Sequence, residues 1–224
     1  DTPRAFILDQ CYNGNTSFCQ FIKRRAAPVG ANSAGSLEFI DSAVTNSGGL
    51  STDGVDFAVA FRDKVGPGNM SGRLAYTRLL GGSVVPSAGA APDVFAGEVG
   101  AAKNRISLNL GYDYDKWGIR TTTTYIGKSA LDDQFVTQFD DPAGSGNYLK
   151  AGAITVPAKT YMNLQVTYAL SKKGQLYFGV DNALDTKAPP IITGLPGNTT
   201  GAETAASVYD PIGRKFYVGL RGSF

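Results

Sequence analysis

Seven stretches of this chain alternate apolar and polar residues with a period of two, and this alternation restricts the fold more than any other feature. Successive side chains of a strand point to opposite faces, so such a stretch is a strand with one apolar and one polar face. In VDFAVAF, Val55, Phe57, Val59 and Phe61 oppose Asp56, Ala58, Ala60 and Arg62. In RLAYTRLL, Leu74 and Tyr76 oppose Arg73, Ala75 and Thr77, while Arg78 interrupts the apolar face. In RISLNLGYDY, Ile106, Leu108, Leu110, Tyr112 and Tyr114 oppose Arg105, Ser107, Asn109, Gly111 and Asp113. In KWGIRTTTTYIG, Trp117, Ile119 and Tyr125 oppose Gly118, Arg120 and Thr122. YMNLQVTYAL sets Met162, Leu164, Val166, Tyr168 and Leu170 against Asn163, Gln165, Thr167 and Ala169. QLYFGVDN sets Leu176, Phe178 and Val180 against Tyr177, Gly179 and Asp181. The last stretch, KFYVGLRGSF, sets Phe216, Val218, Leu220 and Phe224 against Tyr217, Gly219, Arg221 and Ser223.

A soluble β-sandwich with its apolar face inward produces the same alternation. Three features favour a barrel in lipid. The polar face repeatedly carries small residues or full charges, as a wet or plugged lumen would. Trp and Tyr cluster at strand ends, the places of interfacial aromatic girdles. The connections also alternate in length. Those at 66–69, at Asp115 and Lys116, and at 171–174 are very short, whereas those at 82–103, 129–157 and 185–211 each exceed twenty residues. Short turns on one side and long loops on the other is the pattern of outer-membrane barrels. The expected fold class is therefore all-β, a transmembrane antiparallel β-barrel of which this chain supplies seven or so strands. Residues 1–53 are expected to form a loop region and 54–224 the barrel strands. Closure is required in lipid, because unpaired backbone at an open edge costs several kcal/mol per group.

Composition removes several function classes. The chain has no histidine and a net charge of +2. The commonest general base and metal ligand is missing, and no basic excess points to nucleic acid. No catalytic constellation, cofactor motif or metal site is read. Asp132, Asp133, Asp140 and Asp141 match no calcium-loop spacing and read as a solvated loop. Cys11 and Cys19 flank a polar, turn-rich stretch, CYNGNTSFC, which suits a local disulfide in an oxidising compartment.

In combination these segments resemble the TonB-dependent outer-membrane receptors. The resemblance is carried by TDGVDFAVAF, by RISLNLGYDYDKWGIRTTTTYIGKS, by TYMNLQVTYAL with LYFGVDNALDTKAPP, and by YDPIGRKFYVGLRGSF. Within the third, Val180, Asn182, Ala183, Leu184 and Asp185 stand at the family's "v-N-l-f-D" element. CYNGNTSFCQFIKR is similar to a two-cysteine segment found in a subset of the family, on the extracellular side. The resemblance implies a barrel of about 22 strands, filled by a plug domain, in the outer membrane of a Gram-negative bacterium. It implies active import of a scarce small ligand (an iron chelate, cobalamin or a carbohydrate), energised by the TonB complex through the plug. A passive porin is the rival transport reading. The implied partners are membrane lipid, the small ligand, and the remaining N-terminal strands with the plug, from a companion chain or another part of the same protein.

The resemblance also places Phe224 in the periplasm, which puts the short turns there and the long loops outside. Tyr217, Gly219 and Phe224 would then be read by the assembly machinery. By parity Asp56, Arg62, Arg73, Arg105, Asp113, Arg120, Asp181 and Arg221 face the lumen, where they are expected to contact wall or plug. Phe95, Phe135, Phe139 and Tyr148 are the aromatic residues of the long loops that are candidates for meeting ligand.

Overall fold

The computed structural model describes residues 4–42, 48–85, 90–132, 155–191 and 204–222. Two compact units are present, one of Asp1–Ser51 with Ser83–Asp93 and one of Thr52–Gly82 with Val94–Phe224. The expected division at residue 53 leaves Ser83–Asp93 on the other side of the boundary.

The first unit is built around the disulfide between Cys11 and Cys19. Helix α1 (Arg4–Tyr12) ends at an Asn13–Gly14–Asn15 turn, where Gly14 takes a left-handed φ of 97°. A 3-10 turn (Thr16–Phe21) follows, so the two cysteines lie on adjacent short elements. Phe6 and Phe21 pack against the buried Phe18 at centroid distances of 5.7 and 6.3 Å. Strands β1 (Ile22–Arg24) and β2 (Leu37–Ile40) pair antiparallel. Arg24 clasps the unit by donating to the Tyr12 hydroxyl and, over 2.8 Å, to the Gly35 carbonyl.

The alternating stretches form strands β3 (Gly49–Val65), β4 (Gly68–Val85), β5 (Asn104–Tyr114), β6 (Trp117–Ile126), β9 (Lys159–Ala169), β10 (Gly174–Asp181) and β11 (Lys215–Gly222), which lie in the second unit except for Gly49–Ser51 and Ser83–Val85. A small pair, β7 (Ser129–Ala130) and β8 (Thr155–Val156), lies between β6 and β9 in sequence. The seven long strands make one antiparallel sheet in chain order, open between edge strands β3 and β11. Short connections produce this meander. Gly66 and Pro67 join β3 to β4, with Gly66 at a φ of 60° as the first central position of a tight hairpin turn requires. Asp115 takes a left-handed φ of 50° between β5 and β6.

Strands β3 and β4 are 17 and 18 residues long, while β5, β6 and β9 have 11, 10 and 11. The shorter lengths match the 9–11 residues that cross a bilayer. The β3–β4 hairpin runs on past its neighbours by some seven residues, about 20 Å at strand rise. Thus β4 reaches Val85, inside the expected loop 82–103, and β3 begins before the expected start. The alternating pattern fades there because like residues follow one another, Ser51, Thr52 and Asp53 on β3 and Leu79 and Leu80 on β4.

The register turns the sequence alternation into two faces. Leu110, Thr121, Leu164, Val180 and Phe216 fall in one row of the apolar face, and the Phe61 ring covers Gly72 in the same row. Apolar side chains from all seven strands share this face, and many lie exposed, up to 71% and 73% for Val218 and Leu220. At about 4.8 Å between strands and 3.3 Å per residue, the face covers on the order of 1,000 Å². Isolated apolar patches on soluble monomers are roughly 300–600 Å². Tyr114, Trp117 and Tyr168 ring its short-turn end, with Trp117 and Tyr168 4.7 Å apart. At the other end Tyr76 and Tyr125 flank Ile106 on one rung, and Tyr76 and Arg78 both donate to Asn104 over 2.8 Å. Arg78 therefore bounds the apolar band and does not break it.

Candidate functional site: the polar face of the sheet

Asp56, Arg62, Arg73, Arg105, Asp113, Arg120, Asp181 and Arg221 lie on the polar face by register. They divide into two groups by what they touch. Asp56 accepts from the Thr77 hydroxyl at 2.6 Å. Arg120 donates through one nitrogen to both oxygens of Asp113 at 2.7 Å. Asp181 pairs with Lys215 at 3.7 Å. These are contacts within the wall. Arg62, Arg73, Arg105 and Arg221 have no ion pair among the described residues. Arg62, Arg73 and Arg120 line an open recess of about 580 Å³, whose polar-face floor is Ala60, Ser71, Asn109 and Gly111.

Toward β11 two tyrosines cover the polar face. Tyr177 and Tyr217 lie diagonally across β10 and β11, 6.2 Å apart, and each covers the other strand's glycine. A Cβ on Gly179 would lie 2.0 Å from the Tyr217 ring, and one on Gly219 would lie 2.2 Å from the Tyr177 hydroxyl. Gln165 donates to the Tyr217 hydroxyl over 3.2 Å. Two of the residues expected to serve assembly, Tyr217 and Gly219, thus hold this hairpin together. Sequence reasoning passed over the signal that shows it, the repeated Tyr-x-Gly at 177–179 and 217–219.

Asn182 ends β10 and organises the strap that follows. It is 2% exposed and holds a left-handed φ of 50°, a conformation that Asn tolerates better than most residues. Its backbone N–H donates to Asn163 Oδ1 and its side chain exchanges two 2.9 Å bonds with the backbone of Thr186. Thr186 in turn donates to the Thr160 carbonyl at 2.6 Å. Asp185 accepts from Lys187 at 3.0 Å and from the Arg214 backbone at 3.3 Å. The Lys187 ammonium first, and then the Arg214 amide, hold its carboxyl below the usual carboxylate range.

The described parts of the long connections fold onto the polar face. Ala102, Leu131, Val156, Ile191 and Tyr209 bury a small core with Ile126, whose register position is on that face. Tyr161, on the same face, packs against it. The 94–102 and 129–131 segments are stitched together by bonds of 2.9 Å, from Val99 to Ala130 and from Ala130 to Gly97. Burial raises the Tyr209 phenol above its ordinary pKa. Phe95 lies with its ring over Gly82, so its described contact is with strand backbone. Phe135, Phe139, Tyr148 and Phe224 lie outside the described residues, as do Asp133, Asp140 and Asp141. Among the described residues no group of three carboxylates or cysteines converges on a point.

No family model matches the chain. No curated protein matches it either. Among solved structures, the chain is similar to a G324V mutant of the ferric enterobactin receptor PfeA from Pseudomonas aeruginosa, with 22% identity and a TM-score of 0.47. That likeness covers 77% of this chain and 22% of the receptor, so the chain spans about a fifth of the receptor's length.

Proposed function

We propose that this chain is part of the wall of a plugged outer-membrane β-barrel that actively imports a scarce small ligand, with energy delivered by TonB through the plug. One observation carries the membrane reading. The sheet exposes a seven-strand apolar face, rimmed by aromatic residues, opposite a face of charges and small residues. Water disfavours that face by roughly 25 cal/mol per Å², whereas lipid accepts it. The edges β3 and β11 support the same reading, since in lipid each needs a strand partner. The plug and TonB rest on the sequence resemblance. Transport of this kind makes and breaks no bond. The ligand class is an iron chelate, cobalamin or a carbohydrate.

Two measurements test the proposal. The full-length protein should fractionate with the outer membrane and migrate faster in an unheated gel sample than in a boiled one, as folded barrels do. A deletion strain should lose uptake of one ligand of these classes, and should lose it equally when TonB is removed. Solubility of the folded protein without detergent contradicts the membrane reading. Uptake independent of TonB leaves only a passive porin.

A further inference from the structure

Resting on the reading of this sheet as a barrel wall, we propose that Arg78 and the groove beside it bind an anionic, phosphate-bearing lipid of the outer leaflet. The phosphate meets the guanidinium, and an acyl chain lies in the groove. Arg78 is on the apolar side of the sheet, because it and Tyr76 both donate to the same side-chain oxygen of Asn104 at 2.8 Å. Among the described residues of the seven long strands it is the one cation on that side. The others, such as Arg73, Arg105, Arg120 and Lys159, stand on the polar face by register. Arg78 is exposed and has no ion pair among the described residues.

The surroundings of Arg78 fit a molecule with two unlike ends. Phe57, Leu74, Tyr76, Ile106 and Tyr125 line an open, apolar groove of about 560 Å³, with Asn104 as its polar member. The Arg78–Asn104 rung lies two residues beyond the rung of Tyr76, Ile106 and Tyr125, toward the long loops. That is about 7 Å at strand rise. From the long-loop end inward the order is cation, aromatic rim and aliphatic floor, the order in which a lipid presents phosphate, linkage and chain. An Arg at a membrane rim can also reach water by itself. Here Asn104 holds one guanidinium nitrogen and is itself held by Tyr76, so the rest of the fork is presented at one place. Guanidinium is the side chain best matched to phosphate. A free anion would make no use of the groove, and a neutral lipid none of Arg78. An anionic lipid uses both.

The test is a titration of full-length protein, delipidated in detergent, with diphosphoryl lipid A, read by native mass spectrometry. Saturable binding is expected, weakened on the order of tenfold in Arg78→Gln and partly kept in Arg78→Lys. Arg73→Gln, on the polar face, should bind as the native protein does. Neither inorganic phosphate nor the deacylated, diphosphorylated sugar should compete at equal concentration. Equal affinity in the native protein and Arg78→Gln overturns the proposal and leaves Arg78 reaching only water. Competition by inorganic phosphate or by the deacylated sugar overturns it in favour of an anion site without a chain. If Arg78→Gln does not fold, the native protein decides: lipid A should shield Arg78 from phenylglyoxal and leave Arg73 unchanged, and absence of shielding overturns the proposal. Failure of the barrel reading looks different, because the protein would then be absent from the outer membrane and its gel mobility would not change on heating.

Discussion

The two ends of the polar face handle the same problem differently. From β10 to β11 the face is filled by its own side chains, as Tyr177 and Tyr217 cover reciprocal glycines and Asp181 meets Lys215. From β3 to β5 the face is floored by Ala60, Ser71 and Gly111 and leaves Arg62 and Arg73 without ion-pair partners. The first arrangement resists whatever lies above it, since added bulk meets a ring. The second leaves open space above a floor of small residues.

The contrast breaks most easily at Asn182, where we expect the largest effect. Asn182→Ala removes both side-chain bonds to Thr186 and places a less tolerant residue at positive φ. A loss of about 3 kcal/mol is expected in urea unfolding of the full-length protein from detergent. Asn182→Gly relieves the backbone but not the bonds, and should recover about 1 kcal/mol of that. Equal stability of all three proteins would show that the strap does not depend on this residue. Gly179→Ala and Gly219→Ala come next, at about 1–3 kcal/mol each, because each methyl collides with a tyrosine ring. Pairing Gly179→Ala with Tyr217→Ser should restore part of the loss. Ala60 marks the other end, where a methyl already lines the recess.

Much of this was legible in the sequence, and the limits have physical causes. Period-two alternation sets the faces, so the parity of Val55 to Phe61 and of Phe216 to Leu220 survives intact in the sheet. The three short turns gave three of the strand pairings, since a link as short as Gly66 and Pro67 joins only adjacent antiparallel strands. The extension of β3 and β4 was not legible, because runs of like residues, Ser51 to Asp53 and Leu79 with Leu80, break the alternation. Nor was the folding of the described connections onto the polar face, which depends on Ile126 and Tyr161 meeting Ile191 and Tyr209 across long sequence separations. Among the charges, parity gave the face of each but not its partner. Register decides that Asp113 lies within reach of Arg120 and that Arg62 and Arg73 have no such neighbour.

Smaller effects sharpen the comparison. Asp113→Asn should cost about 0.5–1 kcal/mol, the range of an exposed but well-aligned pair. Arg73→Gln should change the stability of the wall by less than about 0.5 kcal/mol, because no bond within the wall is lost. If Arg73→Gln costs as much as Asp113→Asn, the two ends of the face do not differ as described.

The smallest expected effect is a local response to acid at Asp185. Its carboxyl is held below the ordinary range by Lys187 and by the Arg214 amide, so the folded state favours the ionised form. A depressed folded pKa stabilises fully above the unfolded carboxylate value, near 4, and that contribution is lost as pH falls through the folded value. The loss should appear first at the bond it supports, the Arg214 N–H donated to Asp185. Amide exchange at Arg214, corrected for its intrinsic rate, should quicken below about pH 4 while that of central β10 residues such as Phe178 holds. In Asp185→Asn the step at Arg214 should vanish. A step that persists there would assign the acid response to another group and leave the strap's closure to Asn182 alone.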